Sequence, residues 1–101
     1  MGKVRLEFFS WVGDTLDIAG NSNKVIMEAQ TGENNTVRDL LSELAMKYPR
    51  FGQNIFDVKM RKLNERVSIF LNGALLIPGN GLEIKLNDGN ILTFLPMIEG
   101  G

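Results

Sequence analysis

Arg66-Val67-Ser68-Ile69-Phe70-Leu71-Asn72-Gly73-Ala74-Leu75-Leu76-Ile77 is the stretch whose reading decides the fold. Val67, Ile69 and Leu71 recur at every second residue, which predicts a strand with those three side chains turned inward. Asn72-Gly73 fits a type I′ turn, in which both central residues need positive φ. Ala74 to Ile77 then returns as a short strand, stopped by Pro78-Gly79. The second half of the chain is thus built on an antiparallel hairpin.

Working outward, Lys3-Val4-Arg5-Leu6-Glu7-Phe8 alternates strictly. It predicts a first strand with Val4, Leu6 and Phe8 facing a core and Phe9 falling on the polar side. Residues 10–24 carry turn formers and predict a loop whose Trp11, Val12, Leu16 and Ile18 tuck into the edge of the domain, with Trp11 as core filling and a binding anchor as its second reading. Lys24-Val25-Ile26-Met27-Glu28-Ala29 predicts a second strand, antiparallel to the first. Thr36-Val37-Arg38-Asp39 matches a capping box, and Val37, Leu40, Leu41, Leu44, Ala45 and Tyr48 follow as one apolar helical stripe. Pro49 ends that helix. Residues 50–66 have no single period and predict an irregular segment with at most one helical turn; Lys59, Arg61, Lys62 and Arg66 make a solvated basic face. Leu82, Ile84 and Leu86 are expected to fill space near the last loop. Asp88-Gly89 predicts a tight turn, and Ile91-Leu92-Thr93-Phe94-Leu95 a final strand with Leu92 and Phe94 on one face.

Composition closes off several classes of function. The 101 residues carry 11 basic and 12 acidic side chains, which argues against a nucleic-acid or anionic-membrane surface. No apolar run is long enough to span a bilayer, and no leader pattern precedes the first strand, so a cytoplasmic protein is expected. Leu6 stands where a myristoylation motif after Met1-Gly2 requires Ser or Thr. There is no cysteine and no histidine, which removes Cys-His and Ser-His catalysis, thiolate redox chemistry and nearly every zinc site. Asp14 with Asp17, and Glu33 with Asp39, read as turn or cap residues. The chain reads as a substrate or partner of enzymes, not an enzyme, and as a single domain over residues 1–101 that binds no cofactor itself.

The sequence closes on Pro96-Met97-Ile98-Glu99-Gly100-Gly101. Two glycines without Cβ let another protein's walls approach the main chain, which suits a tail threaded into a narrow active site with the Gly101 carboxylate as reacting group. A frayed end or an expression remnant explains the same residues equally well. The residues alone leave these two accounts open.

The order is hairpin, helix, hairpin, strand, then a diglycine. This resembles the β-grasp order of ubiquitin-like proteins, and local motifs narrow the likeness to their sulfur-carrier branch. The run from Val4 to Phe8, closing on Phe9, is similar to the first strand of those carriers. Thr36-Val37-Arg38-Asp39-Leu40-Leu41 resembles their helix opening, and Ile69-Phe70-Leu71-Asn72-Gly73 their strand and turn. Leu86-Asn87-Asp88-Gly89-Asn90, with Phe94-Leu95-Pro96 running to Gly101, resembles their closing motif. The likeness spans nearly the whole chain. It covers the small subunit of molybdopterin synthase, the thiamine sulfur carrier and the small archaeal modifier proteins.

The resemblance implies an α+β, ubiquitin-like β-grasp fold: a mixed four- to five-stranded sheet, one main helix, and residues 96–101 as a mobile functional tail. It implies an activating enzyme of the ubiquitin-activating type that uses ATP to adenylate Gly101. The end then becomes a thiocarboxylate that carries sulfur on carbon, with no need of cysteine. The implied receivers are a sulfur-accepting enzyme, such as the molybdopterin synthase large subunit or a tRNA thiolase, or the lysines of target proteins. Two departures, Met97 for a second proline and Asn90 for an aspartate, loosen any assignment to one receiver. The competing account is a β-grasp interaction module with an inert tail. Alternation places Phe9 and Leu95 on the sheet face away from the helix, and the resemblance adds Leu75. Similar carriers dock their partners on an apolar patch at these positions, with Pro96, Met97, Ile98, Glu99 and Gly100 entering the partner. Packing of Phe9 under residues 10–24 against Trp11 is the alternative for that ring.

Overall fold

A computed structural model describes residues 2–9, 11–16, 24–32, 35–60, 62–76 and 80–96. Strand β1 (Gly2–Phe9) pairs antiparallel with β2 (Lys24–Thr31), in a register running from Gly2 opposite Thr31 to Phe9 opposite Lys24. Between them lie one helical turn, α1 (Trp11–Asp14), and then residues outside the description. Helix α2 (Val37–Lys47) follows, then α3 (Pro49–Asn54), a two-residue hairpin of β3 (Phe56–Asp57) and β4 (Lys62–Leu63), and the hairpin β5 (Val67–Leu71) with β6 (Ala74–Leu75). A 3-10 turn (Asn80–Glu83) leads to the last strand, β7 (Ile91–Pro96). The main sheet has five strands in the order β2-β1-β7-β5-β6. Strand β7 lies parallel to β1 and antiparallel to β5, so the final strand is central. The fold is α+β and mixed, as expected, with a separate two-stranded sheet added.

Local chemistry sets these boundaries. The Thr36 hydroxyl accepts from the Asp39 N–H at 3.2 Å, and the Asp39 carboxylate accepts from the Thr36 N–H at 2.9 Å, a complete capping box. Along α2, Val37, Leu40, Leu41, Leu44 and Ala45 are buried against the sheet. They meet Val4, Leu6 and Phe8 of β1, Leu92 and Phe94 of β7, and Val67 and Ile69 of β5 in one core. The Asn72-Gly73 turn has φ of 50° and 87°, the left-handed conformation a type I′ turn requires. The Asn72 side-chain oxygen also accepts from the Ile91 N–H at 2.8 Å, tying the hairpin to the central strand.

Four expectations are corrected. Residues 10–24 are not wholly loop, because Trp11–Asp14 makes a helical turn that buries Val12. Trp11 is not core: Val12 is buried, and Trp11 stays 38% exposed. Ile84 is also exposed, while Leu82 and Leu86 on either side are buried; Ile18 and Ile77 lie outside the described residues. The largest correction concerns residues 50–66. Pro49 ends α2, and it also opens α3, where its fixed φ and missing N–H cost nothing in the first turn. Helix α3 lies so close to α2 that a Cβ on Gly52 would come within 2.9 Å of the Ala45 carbonyl oxygen. Phe51, Ile55 and Phe56 are buried, whereas Val58 and Met60 point to solvent.

Asn64 holds this segment to the sheet. Its N–H donates to the Ile55 carbonyl at 2.8 Å, and its carbonyl accepts from Val67 at 3.0 Å. Its side chain donates to the Asn54 carbonyl at 2.6 Å and accepts from the Arg66 N–H at 2.8 Å. Asn64→Ala removes only the two side-chain bonds and is expected to destabilise by about 1–2 kcal/mol. A urea midpoint equal to that of the parent protein would show that water replaces both bonds without loss.

Candidate docking face and tail

The side chains that point away from α2 follow from the register. Residues between the inward ones in β1, β7 and β5 are Arg5, Glu7 and Phe9; Ile91, Thr93 and Leu95; and Ser68 and Phe70. Glu7 stands opposite Thr93, Thr93 opposite Phe70, and Phe70 opposite Leu75. One step toward the tail, Leu95 stands opposite Ser68, and Phe9 and Leu95 each follow the Phe8–Phe94 pair by one residue. Phe9 and Leu95 are therefore neighbours on the outer face, and Leu75 lies two strands beyond, roughly 14 Å from Phe9 at the usual strand spacing. The three expected residues do not touch as a trio.

Phe70 bridges them. It is half-buried on the outer face, paired directly with Leu75 and lying diagonally from Leu95. Sequence reasoning passed over it, although the alternation that sends Val67 and Ile69 inward also sends Phe70 outward. The face so formed runs Phe9, Leu95, Phe70, Leu75, with Leu75 58% exposed. Ile26 and Ile91 extend it, and the Arg5–Glu7 ion pair at 3.0 Å crosses it. The Lys24 ammonium lies 5.1 Å from the centre of the Phe9 ring and caps one end. An apolar patch with a polar rim is the usual form of a protein-binding surface.

Pro96 is the last described residue, half-buried at the end of β7 and opposite Val67. The described part of the chain therefore ends on the central strand of the sheet, next to Leu95 and opposite the first residue of β5. Met97, Ile98, Glu99, Gly100 and Gly101 lie outside the described residues. Among the described residues no three acidic side chains gather as a metal site, and no helix is long and apolar enough to cross a membrane. A shallow cavity of about 430 Å³ lies beside the β3–β4 hairpin, lined among others by Phe56, Met60, Lys62 and Arg66. Its lining carries charges of both signs, Asp57 and Glu65 with Lys62 and Arg66.

A family model of the ThiS family matches residues 16–101. The chain belongs to the ThiS family, a group of ubiquitin-like sulfur carriers. The fold is similar to the crystal structure of small archaeal modifier protein 1 from Haloferax volcanii, at 20% identity and a TM-score of 0.73 over 99% of this chain and 100% of that one. It is similar to the solution structure of small archaeal modifier protein 1 from Methanosarcina acetivorans, at 25% identity and 0.68 over 100% of this chain and 98% of that one. It is also similar to Urm1 from Trypanosoma brucei, at 17% identity and 0.65 over 99% and 96%. A sequence search of curated proteins finds no match. The expected β-grasp fold is thereby established.

Proposed function

We propose that this protein is a sulfur carrier that works through the carboxylate of Gly101. The observation that carries this is a diglycine following the central strand of a ThiS-family β-grasp fold. An ionised carboxylate is a poor electrophile, so a partner must activate it. In the proposed step a carboxylate oxygen attacks the α-phosphorus of ATP, pyrophosphate leaves, and an acyl-adenylate forms. A sulfide equivalent then attacks the acyl carbon and AMP departs, leaving a thiocarboxylate. ATP belongs to the activating enzyme; this chain supplies the tail and the surface that positions it. A sulfur-accepting enzyme, such as a molybdopterin synthase large subunit or a tRNA thiolase, receives the sulfur. The likeness to proteins named as modifiers favours a second use of the same acyl-adenylate, with a target lysine amine as acceptor.

Incubation with a cognate activating enzyme, ATP and a sulfur donor is expected to exchange one oxygen for sulfur at the C-terminus, read by intact mass. No exchange would sink the carrier reading and leave the interaction module with an inert tail.

The outer face supplies the docking anchors in this reading. Buried aromatic and aliphatic anchors at an interface centre typically cost about 2 kcal/mol or more when lost. Phe70→Glu, Leu75→Glu and Leu95→Glu are each expected to cut activation by about thirtyfold or more, which is that energy in an equilibrium constant. Phe9→Glu is expected to do less, since Phe9 sits at the rim under Lys24. Thermal stability should fall only modestly, because none of the four is fully buried. Normal activation of the Phe70, Leu75 and Leu95 variants would remove the face from the mechanism.

A further inference from the structure

The two edges of the main sheet are unlike. The β6 edge is two residues long, which leaves little for another chain to pair with. The β2 edge is eight residues long, Lys24-Val25-Ile26-Met27-Glu28-Ala29-Gln30-Thr31, with no proline or glycine. It pairs with β1 residue for residue along its whole length, so no bulge twists it away. Among the described residues no strand pairs with its other side. Among the described residues the edge carries no proline and no bulge, and its only charges are Lys24 and Glu28 on the outer face.

The inner face of β2 is also incompletely covered. Val25, Met27 and Ala29 stand opposite Phe8, Leu6 and Val4. The three β1 residues are fully buried, whereas their three β2 neighbours are only half-buried against the core. Among the described residues no further strand lies beyond β2 on that side.

We infer that β2 pairs antiparallel with β2 of a second copy of this chain, across a twofold axis through Ile26. The sequence is self-complementary in that register. On the outer face, Lys24 falls opposite Glu28 of the second copy and Glu28 opposite its Lys24, with the two Ile26 side chains meeting on the axis. On the inner face, Val25 falls opposite Met27 of the second copy and Met27 opposite its Val25. A twofold pairing requires the same patch to be complementary to itself, and both faces of this strand meet that condition. Directly opposed residues of neighbouring strands have Cβ atoms about 5 Å apart, within reach of each pair named. One strand pair buries less than a standard interface, so the association is concentration-dependent and reversible. It extends the sheet at the end away from β5 and β6, and leaves β7 and the exit of the tail uncovered. It holds whether or not Gly101 carries sulfur.

Sedimentation of the full chain over a concentration series tests this. The parent protein is expected to shift from monomer toward dimer as concentration rises. Ile26→Lys, at a side chain 48% exposed, places two ammoniums on the axis; the dissociation constant should rise on the order of tenfold. Lys24→Glu alone sets Glu against Glu twice, and Glu28→Lys alone sets Lys against Lys twice, so each should remain monomeric at concentrations where the parent associates. Mixing these two variants restores an opposite-charge pair at both positions and should restore a dimer. The Lys24→Glu, Glu28→Lys double variant should dimerise alone. A parent protein that stays monomeric throughout, a dissociation constant left unchanged by Ile26→Lys, or a mixture that stays monomeric overturns the inference. Circular dichroism of each variant confirms that it is folded, and that readout requires no activating enzyme.

Discussion

Deleting Gly101 is expected to abolish sulfur loading while leaving the melting temperature unchanged. The proposed chemistry requires the acyl carbon to sit at the end of a tail of fixed reach. Each residue spans at most about 3.5 Å, so a one-residue deletion withdraws the carboxylate by that distance. Displacements near 1 Å already cost reacting groups about a hundredfold, and a shift of this size leaves no productive geometry. The described core contains no residue beyond Phe94 in sequence, so stability has little to lose. Intact mass after incubation with activating enzyme, ATP and a sulfur donor reads the first effect, and a thermal scan the second. Gly101→Ala keeps the carboxylate in place but adds a Cβ where a narrow channel must close on the main chain. Its loading is expected to be intermediate. Loading of the deletion variant at the parent rate would show that the position of the terminus is immaterial, and would overturn the carrier mechanism.

Most of the frame was legible in the sequence because its elements are held by short-range rules. Alternation in Lys3 to Phe8 and in Val67 to Leu71, the Thr36–Asp39 capping box and the Asn72-Gly73 turn each depend on neighbours within a few residues. Each appears in the structure where those rules put it. What escaped depends on contacts distant in sequence. Trp11 reads as core filling, but Val12 and Leu16 take the buried positions and leave Trp11 partly exposed. Residues 50–66 show no period because three short elements, α3, β3 and β4, share them. The outer face was half legible. Phase found Phe9 and Leu95, resemblance added Leu75, and Phe70 was missed although phase alone identifies it. Strand order closes the gap, because only pairing shows that Phe70 lies between Leu95 and Leu75.

Phe51 carries the largest expected effect on stability, and it comes from that unreadable stretch. Its ring meets Phe8 edge-on at a centroid distance of 6.3 Å and Phe94 edge-on at 6.2 Å. Phe8 and Phe94 are themselves stacked at 4.5 Å, one from each of the paired parallel strands. The short helix after Pro49 thus inserts the third ring of an aromatic cluster that joins β1, β7 and α3. All three rings are fully buried. Phe51→Ala removes the ring and both edge contacts, and the close α2–α3 approach at Gly52 limits how far the walls can collapse. The expected cost is about 3–5 kcal/mol, a large share of the roughly 5–15 kcal/mol that holds a domain of this size together. The melting temperature should fall by more than about 10 °C. Phe51→Leu keeps most of the volume and should lose much less, while Met46→Ala, at a side chain 78% exposed, should cost under about 0.5 kcal/mol. Denaturant unfolding followed by circular dichroism measures all three. A Phe51→Ala loss no larger than that of Met46→Ala would show that α3 is peripheral to the core. The consequence reaches the tail: α3 hands the chain through Asn64 to Val67, and Val67 stands opposite Pro96. If α3 is loosened, the root from which the diglycine tail departs is expected to lose its fixed position as well.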